Sequence, residues 1–267
     1  MIPEIEDQDY DSRPMKREYD VISIDGDTHC IRNVQVCREV RVNLEVNGVH
    51  IASLTASPRE LAEFACGYCI TEGIVRQISD IVKVETDGNH IRITVFDIDK
   101  STLSRPKEIR TSGCVGIVQD AGEFGIELPT GTRVSRAVIF SAMECLNDHA
   151  VLWRETGGTH CTVLYDSHGT AVAHAEDVGR HNSVDKAIGK ALLSGIDTGK
   201  TFLCCSGRMP EGMVSKVYHA GIPIVVTNNA PSAAGIDLAR RVNLTLAGFV
   251  RPPRMNIYSA PERILVD

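Results

Sequence analysis

"TFLCCSGRMPEGMVSKVYHAGIPIVVT", residues 201–227, decides the fold class. "TFLCC" is a short, unbroken apolar run of the kind that forms a fully buried strand, "PEGMVSKVYHAG" reads as a helix, and "IPIVVT" reads as a second buried strand. The same alternation continues outward. On the C-terminal side come a helix in "SAAGIDLARRV" (232–242) and a strand in "LTLAGFV" (244–250). On the N-terminal side, "HCTVLYDSHGTAVAHAE" (160–176) reads as a hairpin, and "SVDKAIGKALL" (183–193) places Val184, Ala187, Ile188, Ala191 and Leu192 on one helical face. Strand–helix–strand repetition predicts an α/β layer with a largely parallel sheet. Ligands of such sheets gather at strand ends, where this chain has "SGR" (206–208), "TNNAPS" (227–232) and "RPPR" (251–254).

Upstream, the pattern is richer in hairpins. Residues 1–20 read as a flexible acidic arm, and 21–134 as an N-terminal hairpin and helix part preceding an α/β domain at 135–267. "EVRVNLEVNGVHIASL" (39–54) alternates apolar residues and turns at Asn47-Gly48, and "IVKVETDGNHIRITVFD" (81–97) turns at Asp87-Gly88. Between them "SPRELAEFACGYCITEG" predicts a helix over 58–72, with Ser57 as N-cap, Pro58 at the first helical position and Glu60 completing a capping box. The stretch 99–130 shows no sustained period and reads as a long exposed loop, and a helix over 135–149 follows Ser135.

Composition narrows the function classes. The chain has 267 residues, 43% of them hydrophobic, enough for a substantial core. No run approaches the length of a membrane span, and the charged N-terminus does not resemble a signal peptide, so a cytoplasmic location without membrane contact is expected. The formal net charge of −7 argues against general nucleic-acid binding. That charge is uneven: residues 1–150 carry 16 Lys+Arg against 25 Asp+Glu, and residues 151–267 carry 12 against 10. Arginines dominate the later positive charge, which favours a small anionic ligand such as a phosphate. Nine cysteines at irregular spacing predict free thiols in a reducing compartment.

Four constellations could carry chemistry. His174-Ala175-Glu176 matches half of a zinc-deaminase signature, but the P-C-x-x-C half is missing, and the adjacent Cys204 and Cys205 on one strand face opposite ways. Cys66-Gly67-Tyr68-Cys69 lies inside a predicted helix, away from the N-terminal dipole that activates a thiol, and is read as packing. Cys114 in "RTSGCVGIVQ" (110–119) stands on a glycine-flanked segment without a neighbouring base or second thiol, which suits a carrier better than a fixed catalytic pocket, although local chemistry alone favours an incidental surface cysteine. Arg251 and Arg254 flank Pro252-Pro253, whose fixed φ could hold the two guanidinium groups ready for phosphate.

Taken together, "SPRELAEFACGYCITEGIV", "TGGTHCTVLYDSHG", "EDVGRHNSVDKAIG", "SGRMPEGMVSKVYHAGIPIVVTNNAPS" and "LTLAGFVRPPRMNIYSAPERI" resemble the formate dehydrogenase accessory protein (FdhD) family of sulfur carriers. The resemblance runs from about residue 40 to 264. It implies a cytidine-deaminase-like layered α/β fold with an N-terminal part rich in β-hairpins. The activity it implies is transfer of persulfide sulfur from a cysteine desulfurase to the Mo-bis(molybdopterin guanine dinucleotide) cofactor required by formate dehydrogenase. By position, Cys114 falls on the family's persulfide cysteine, and Phe249, Val250, Arg251, Pro252, Pro253 and Arg254 fall on its cofactor-binding segment. The implied partners are the desulfurase, the catalytic subunit of formate dehydrogenase and a second copy of the chain. No metal of the protein's own is expected. The family's loop commonly reads Cys-x-x-Cys, whereas the fourth position here is Ile117. That departure leaves an alternative reading, a cofactor-binding chaperone without sulfur transfer.

Overall fold

The computed structural model describes residues 2–7, 12–96, 98, 103, 107–110, 114–117 and 124–266. Its N-terminal part contains β1 (Glu4–Asp7), β2 (Lys16–Asp25), β3 (Thr28–Cys37), β4 (Val40–Val46), β5 (Val49–Ala56), α1 (Leu61–Thr71), β6 (Ile81–Asp87), β7 (His90–Val95), β8 (Lys107–Arg110) and β9 (Cys114–Ile117). A five-stranded sheet runs β1-β6-β7-β4-β5. The β4–β5 hairpin turns at Asn47-Gly48 as the sequence predicts, with both residues at positive φ, as a two-residue turn matched to strand twist requires. The β6–β7 hairpin turns one residue later than expected: Asp87 still pairs with His90, and Gly88-Asn89 form the turn, with Gly88 at positive φ. The inward residues of these strands, including Val42, Leu44, Ile51, Val84 and Ile91, form one core with the apolar side of α1.

Two expectations for this part are corrected. Residues 4–7 are not a flexible arm: β1 pairs in parallel with β6, and Asp7 accepts a hydrogen bond from Thr86 Oγ1 at 2.6 Å. Lys16–Asp20, also assigned to that arm, begins the long β2–β3 ribbon. Residues 8–11 of the arm lie outside the described residues. The acidic composition of the arm concealed the strand, because an edge strand gains its stability from ladder hydrogen bonds that do not depend on side-chain polarity. The loop expected over 99–130 is interrupted by the β8–β9 ribbon, which pairs Arg110 with Cys114. Four-residue strands are too short to establish an apolar period, and much of the remaining loop lies outside the described residues.

The C-terminal part contains β10 (Val134–Ser135), α2 (Arg136–His149), α3 (Val151–Thr156), β11 (His160–Asp166), β12 (Ala171–Asp177), α4 (Arg180–Leu193), β13 (Thr201–Cys205), α5 (Glu211–His219), β14 (Ile224–Thr227), α6 (Ala233–Arg241), β15 (Thr245–Arg251), β16 (Arg254–Ser259) and β17 (Ile264–Leu265). A six-stranded sheet runs β12-β11-β13-β14-β15-β16, parallel through β13, β14 and β15 and antiparallel on both flanks. Both faces are covered, which is why its central strands are unbroken apolar runs. Leu203, Cys205, Val225 and Leu246 face a core shared with α4, α5 and α6, while Phe202, Cys204, Ile224 and Ala247 face the core under α2. Cys204 and Cys205 thus enter opposite cores, as strand alternation demands. No helix among the described residues is long and apolar enough to cross a membrane.

The two parts are joined by close helix packing and by buried charge. Where α1 crosses α4, glycine meets glycine: a Cβ on Gly67 would lie 1.8 Å from the carbonyl oxygen of Asp185, and one on Gly189 would lie 1.9 Å from that of Glu63. Ser57, expected to cap α1, belongs to this junction instead. Its amide donates to Asp177 Oδ2 at 2.9 Å, its hydroxyl accepts from the Val178 amide, and its carbonyl accepts from Lys186 Nζ. The helix starts three residues later, with Glu60 in left-handed backbone as its N-cap and no side-chain cap. Asp177 and Lys186 form a fully buried ion pair at 2.7 Å. A second buried cluster places Lys216 Nζ 2.6 Å from Glu72, 2.9 Å from both oxygens of Asp185, and over the Tyr68 ring.

Candidate functional site

A cavity of about 450 Å3 opens beyond the ends of β13, β14 and β15. Its size lies in the range of small-molecule sites, roughly 300–1,000 Å3. The parallel strands end together, so the loops that leave them converge: Ser206 follows β13, Asn228 and Asn229 follow β14, and Arg251 ends β15. Trp153 from α3, the Gly157-Gly158 turn and His160 at the start of β11 complete the wall. Among the described residues, Arg251 is the only Arg, Lys, Asp or Glu that lines the cavity.

Short-range bonds fix this wall. Ser206 Oγ accepts from the Cys161 amide at 3.1 Å and lies 3.2 Å from His160 Nδ1, so its hydrogen is available to donate to the ring. The Asn229 amide donates to Thr227 Oγ1, and the Asn229 carbonyl accepts from the Phe249 amide at 3.0 Å. Asn228 Oδ1 is buried and meets no donor among the described residues. Burial lowers the His160 pKa, aided by the nearby charges of Arg180 and Arg208 and opposed by Asp177. Burial likewise lowers His174, helped by Lys190 and His149.

Those two shifts set a pH dependence. Below the ordinary value of 6.5 the unfolded chain binds protons that folded His160 and His174 refuse, so stability rises with pH across that window. Thermal unfolding is expected to show a falling midpoint as pH drops from 7 through 6.5 and lower. His160→Gln and His174→Gln should each flatten that slope, and an unchanged slope in both variants would refute the assignment.

The residues singled out from sequence are distributed as follows. Cys114 begins β9 and pairs with Arg110; β9 lies against β5. Within the "FVRPPR" segment the ladder slips between Gly248 and Arg251, leaving Phe249 as the extra residue, in left-handed backbone at φ 52° and 45% exposed. Val250 turns into the core. Pro252 and Pro253, joined by a cis peptide bond, form the turn that brings Arg254 opposite Arg251. The two arginines nevertheless line different cavities: Arg251 faces the strand-end cavity, and Arg254 faces one of about 420 Å3 beside Arg136 and Phe140.

The half-signature His174-Ala175-Glu176 is accounted for by capping. The Glu176 carboxylate accepts from the Leu152 and Trp153 amides at 2.7 and 2.8 Å and from Thr159 Oγ1 at 3.0 Å, which satisfies orphan donors at the start of α3. Cys66 and Cys69 are packed within α1, and burial pushes the Cys66 thiol up to about 12. Burial has the same effect on Cys161 in the cavity wall, also to about 12. Asp177, from the motif "EDVGRHN", is scaffold: it also holds the Gly179 amide and Asn182 Nδ2.

Sequence reasoning missed Trp153, His160 and Ser206, and it left Asn228 unassigned. The positions of their loops at strand ends pointed to Ser206 and Asn228; nothing in the sequence pointed to Trp153 on α3 or His160 at the start of β11.

A family model for the FdhD/NarQ family matches residues 37–265. The chain is 38% identical over 250 residues to a protein of Methanothermobacter thermautotrophicus named sulfur carrier protein FdhD, covering 93% of this chain and 98% of that one. A protein of the same name from Wolinella succinogenes is 32% identical over 235 residues, covering 86% of this chain and 82% of that one. The crystal structure of a formate dehydrogenase accessory protein from Desulfotalea psychrophila superposes with a TM-score of 0.77 at 25% identity, covering 94% of this chain and all of that one. With the family pattern spanning the whole six-stranded sheet and every strand end that lines the cavity, this chain belongs to the FdhD/NarQ family.

Proposed function

We propose that the protein is a sulfur carrier serving formate dehydrogenase, with Cys114 holding the sulfur as a persulfide. The observation that carries this reading is the family match across residues 37–265, together with relatives named sulfur carrier proteins. In the loading step the Cys114 thiolate attacks the terminal sulfur of a desulfurase persulfide. The S–S bond of the donor breaks, the donor cysteine leaves as thiolate, and the sulfane sulfur moves without change of oxidation state. Buried thiols such as Cys66 and Cys161 do not compete, because burial keeps them protonated at neutral pH.

Unloading as sulfide requires two electrons. A low-molecular-weight thiol attacks Cys114 Sγ, forming a mixed disulfide and releasing the terminal sulfur as hydrosulfide to the recipient; a second thiol then restores Cys114. The resolving thiol must come from outside this loop, from another cysteine of the chain or from a small thiol, because Ile117 occupies the place of a second loop cysteine. The recipient on this reading is the molybdenum bis(molybdopterin guanine dinucleotide) destined for formate dehydrogenase. The cavity at the strand ends, with the positive charge of Arg251 in its wall, suits a phosphate-bearing part of that substrate. The protein would work in the cytoplasm as a homodimer, between a cysteine desulfurase and the formate dehydrogenase catalytic subunit.

Incubation with a cysteine desulfurase and 35S-cysteine tests the assignment. Wild type is expected to gain label that dithiothreitol removes, and Cys114→Ala to lose nearly all of it. Equal labelling of the variant would overturn the carrier role of Cys114. Loss of label with unimpaired activation of formate dehydrogenase would favour a chaperone.

A further inference from the structure

The β2–β3 ribbon carries apolar side chains in solvent. A free two-stranded ribbon is marginally stable in water, and neither edge of this one pairs with a further strand among the described residues. It is fastened at its base: β3 packs on α3, Lys16 Nζ meets Glu155 at 2.7 Å, and the Arg38 amide donates to the Met15 carbonyl at 2.8 Å. Beyond that base, every residue from Arg17 to Asp25 except Ser23, and every one from Thr28 to Asn33, is exposed. Ile22 and Ile24 lie on one face, and Ile31 stands directly opposite Ile22 on that face. Their exposures are 71%, 75% and 78%. Three adjoining isoleucines this open form a patch, and such patches mark contact surfaces. Charge is divided along the same ribbon. From Asp20 to Ile31 it holds Asp20, Asp25 and Asp27 and no lysine or arginine. At the base, Lys16, Glu18 and Gln35, which share the isoleucine face, line a groove of about 690 Å3 with Arg17 and Arg59. Among the described residues Glu18 is the only carboxylate in that groove.

We infer that this ribbon is a dimerisation arm, packed antiparallel on the same ribbon of a second copy, with isoleucine face on isoleucine face and acidic tip toward basic groove. The occupant is a second copy because the ribbon carries both halves of its own complement, as a two-fold interface requires. With the axis through the Ile22–Ile31 pair the two patches meet. Asp27 lies as far beyond Ile22 as Arg17 lies before it, so each tip comes level with the basic groove of the other protomer. The opposite orientation would bring the Asp25 and Asp27 carboxylates of both copies together, and like charges reject it. A face two strands wide is small, so a dissociation constant of roughly 1–100 µM is expected. The homodimer named above is the basis of this assignment, which adds where the two copies meet.

Sedimentation velocity on the full chain, across that concentration range, tests the arm. Wild type is expected to pass from the mass of one chain to that of two. Ile22→Lys/Ile31→Lys should weaken association at least about 100-fold, because it puts charge where apolar side chains meet. Its thermal unfolding should stay near that of wild type, since neither side chain belongs to a core. Ile126→Lys, at a position 79% exposed and off the ribbon, is the control and should leave the dimer intact. Asp25→Lys/Asp27→Lys and Lys16→Glu/Arg17→Glu should each dimerise poorly alone and form a heterodimer when mixed, because mixing restores both tip-to-groove contacts. Misfolding of either variant would not be rescued in this way. A wild type that stays monomeric throughout would overturn the arm and the homodimer together. A dimer that survives Ile22→Lys/Ile31→Lys would overturn the arm alone, and folded charge variants that fail to associate on mixing would overturn the antiparallel arrangement. Sulfur loading of Cys114, measured separately, decides the carrier reading whatever the outcome here.

Discussion

Gly67→Ala should lower the stability of the chain by at least about 3 kcal/mol, at or beyond the upper end of what overpacking usually costs. The new Cβ would meet the Asp185 carbonyl oxygen at 1.8 Å, its carbonyl carbon at 2.6 Å and the Gly189 nitrogen at 3.0 Å. All three obstacles are backbone, so no side-chain rotation relieves them and α1 must move away from α4. That movement would also pull Asp185, Thr71 and Glu72 from their places around Lys216. Gly189→Ala meets the mirror-image obstacle at Glu63 and should behave alike. Gly131→Ala, with nothing within 4 Å of the added carbon, is the control and should stay within about 0.5 kcal/mol of wild type. Urea unfolding midpoints decide the matter, and a Gly67→Ala midpoint equal to that of the control would show that the helices do not pack as described.

Lys216→Met should cost about 3–5 kcal/mol, because it leaves Asp185 and Glu72 buried without their cation. This loss should depend on pH. Burial, joined by the charge of Glu72, already raises Asp185 above its ordinary value, and Lys216 and Thr71 oppose that rise. Without Lys216 the opposition weakens and the folded pKa climbs further. A raised carboxyl binds its proton more tightly in the fold, so the stability it contributes is present at low pH and lost as pH rises through the folded value. The deficit of Lys216→Met relative to wild type should therefore be largest at neutral and alkaline pH and shrink on acidification. Adding Asp185→Asn should recover part of it, with a coupling of about 0.5–3 kcal/mol. A deficit that is small and independent of pH would mean that the cluster is not buried.

The alternation of strands and helices after residue 160 is legible in the sequence because strands covered on both faces carry few polar residues, which leaves the breaks between elements conspicuous. The turns at Asn47-Gly48 and Gly88-Asn89 are legible, the second to within one residue, because few residues other than glycine and asparagine accept positive φ. Ser57-Pro58 misleads for a definite reason. It carries every local sign of a helix start, but Asp177, 120 residues away, claims its amide, and sequence does not show tertiary partners. "EDVGRHN" stands out as a cluster of charged and polar residues, yet its Asp177 is committed to holding the two sheets together. The cavity wall is harder to foresee. Trp153, His160, Ser206 and Asn228 stand singly in the chain, and their convergence depends on strands ending at one level.

The slip in β15 has an evolutionary implication. Ala247 and Val250 enter the same core although three residues apart, a spacing that an unbroken strand cannot provide. Deleting Phe249 would restore a regular two-residue spacing and leave every buried neighbour in place, so packing alone gives no reason to keep it. What the surplus residue adds is a tether: its amide fastens the Asn229 carbonyl, and with it the loop that carries Asn228. Relatives that shortened this strand by one position would remain foldable yet release that tether, so the length of β15 can serve as a marker, independent of residue identity, for which lineages have kept the pocket.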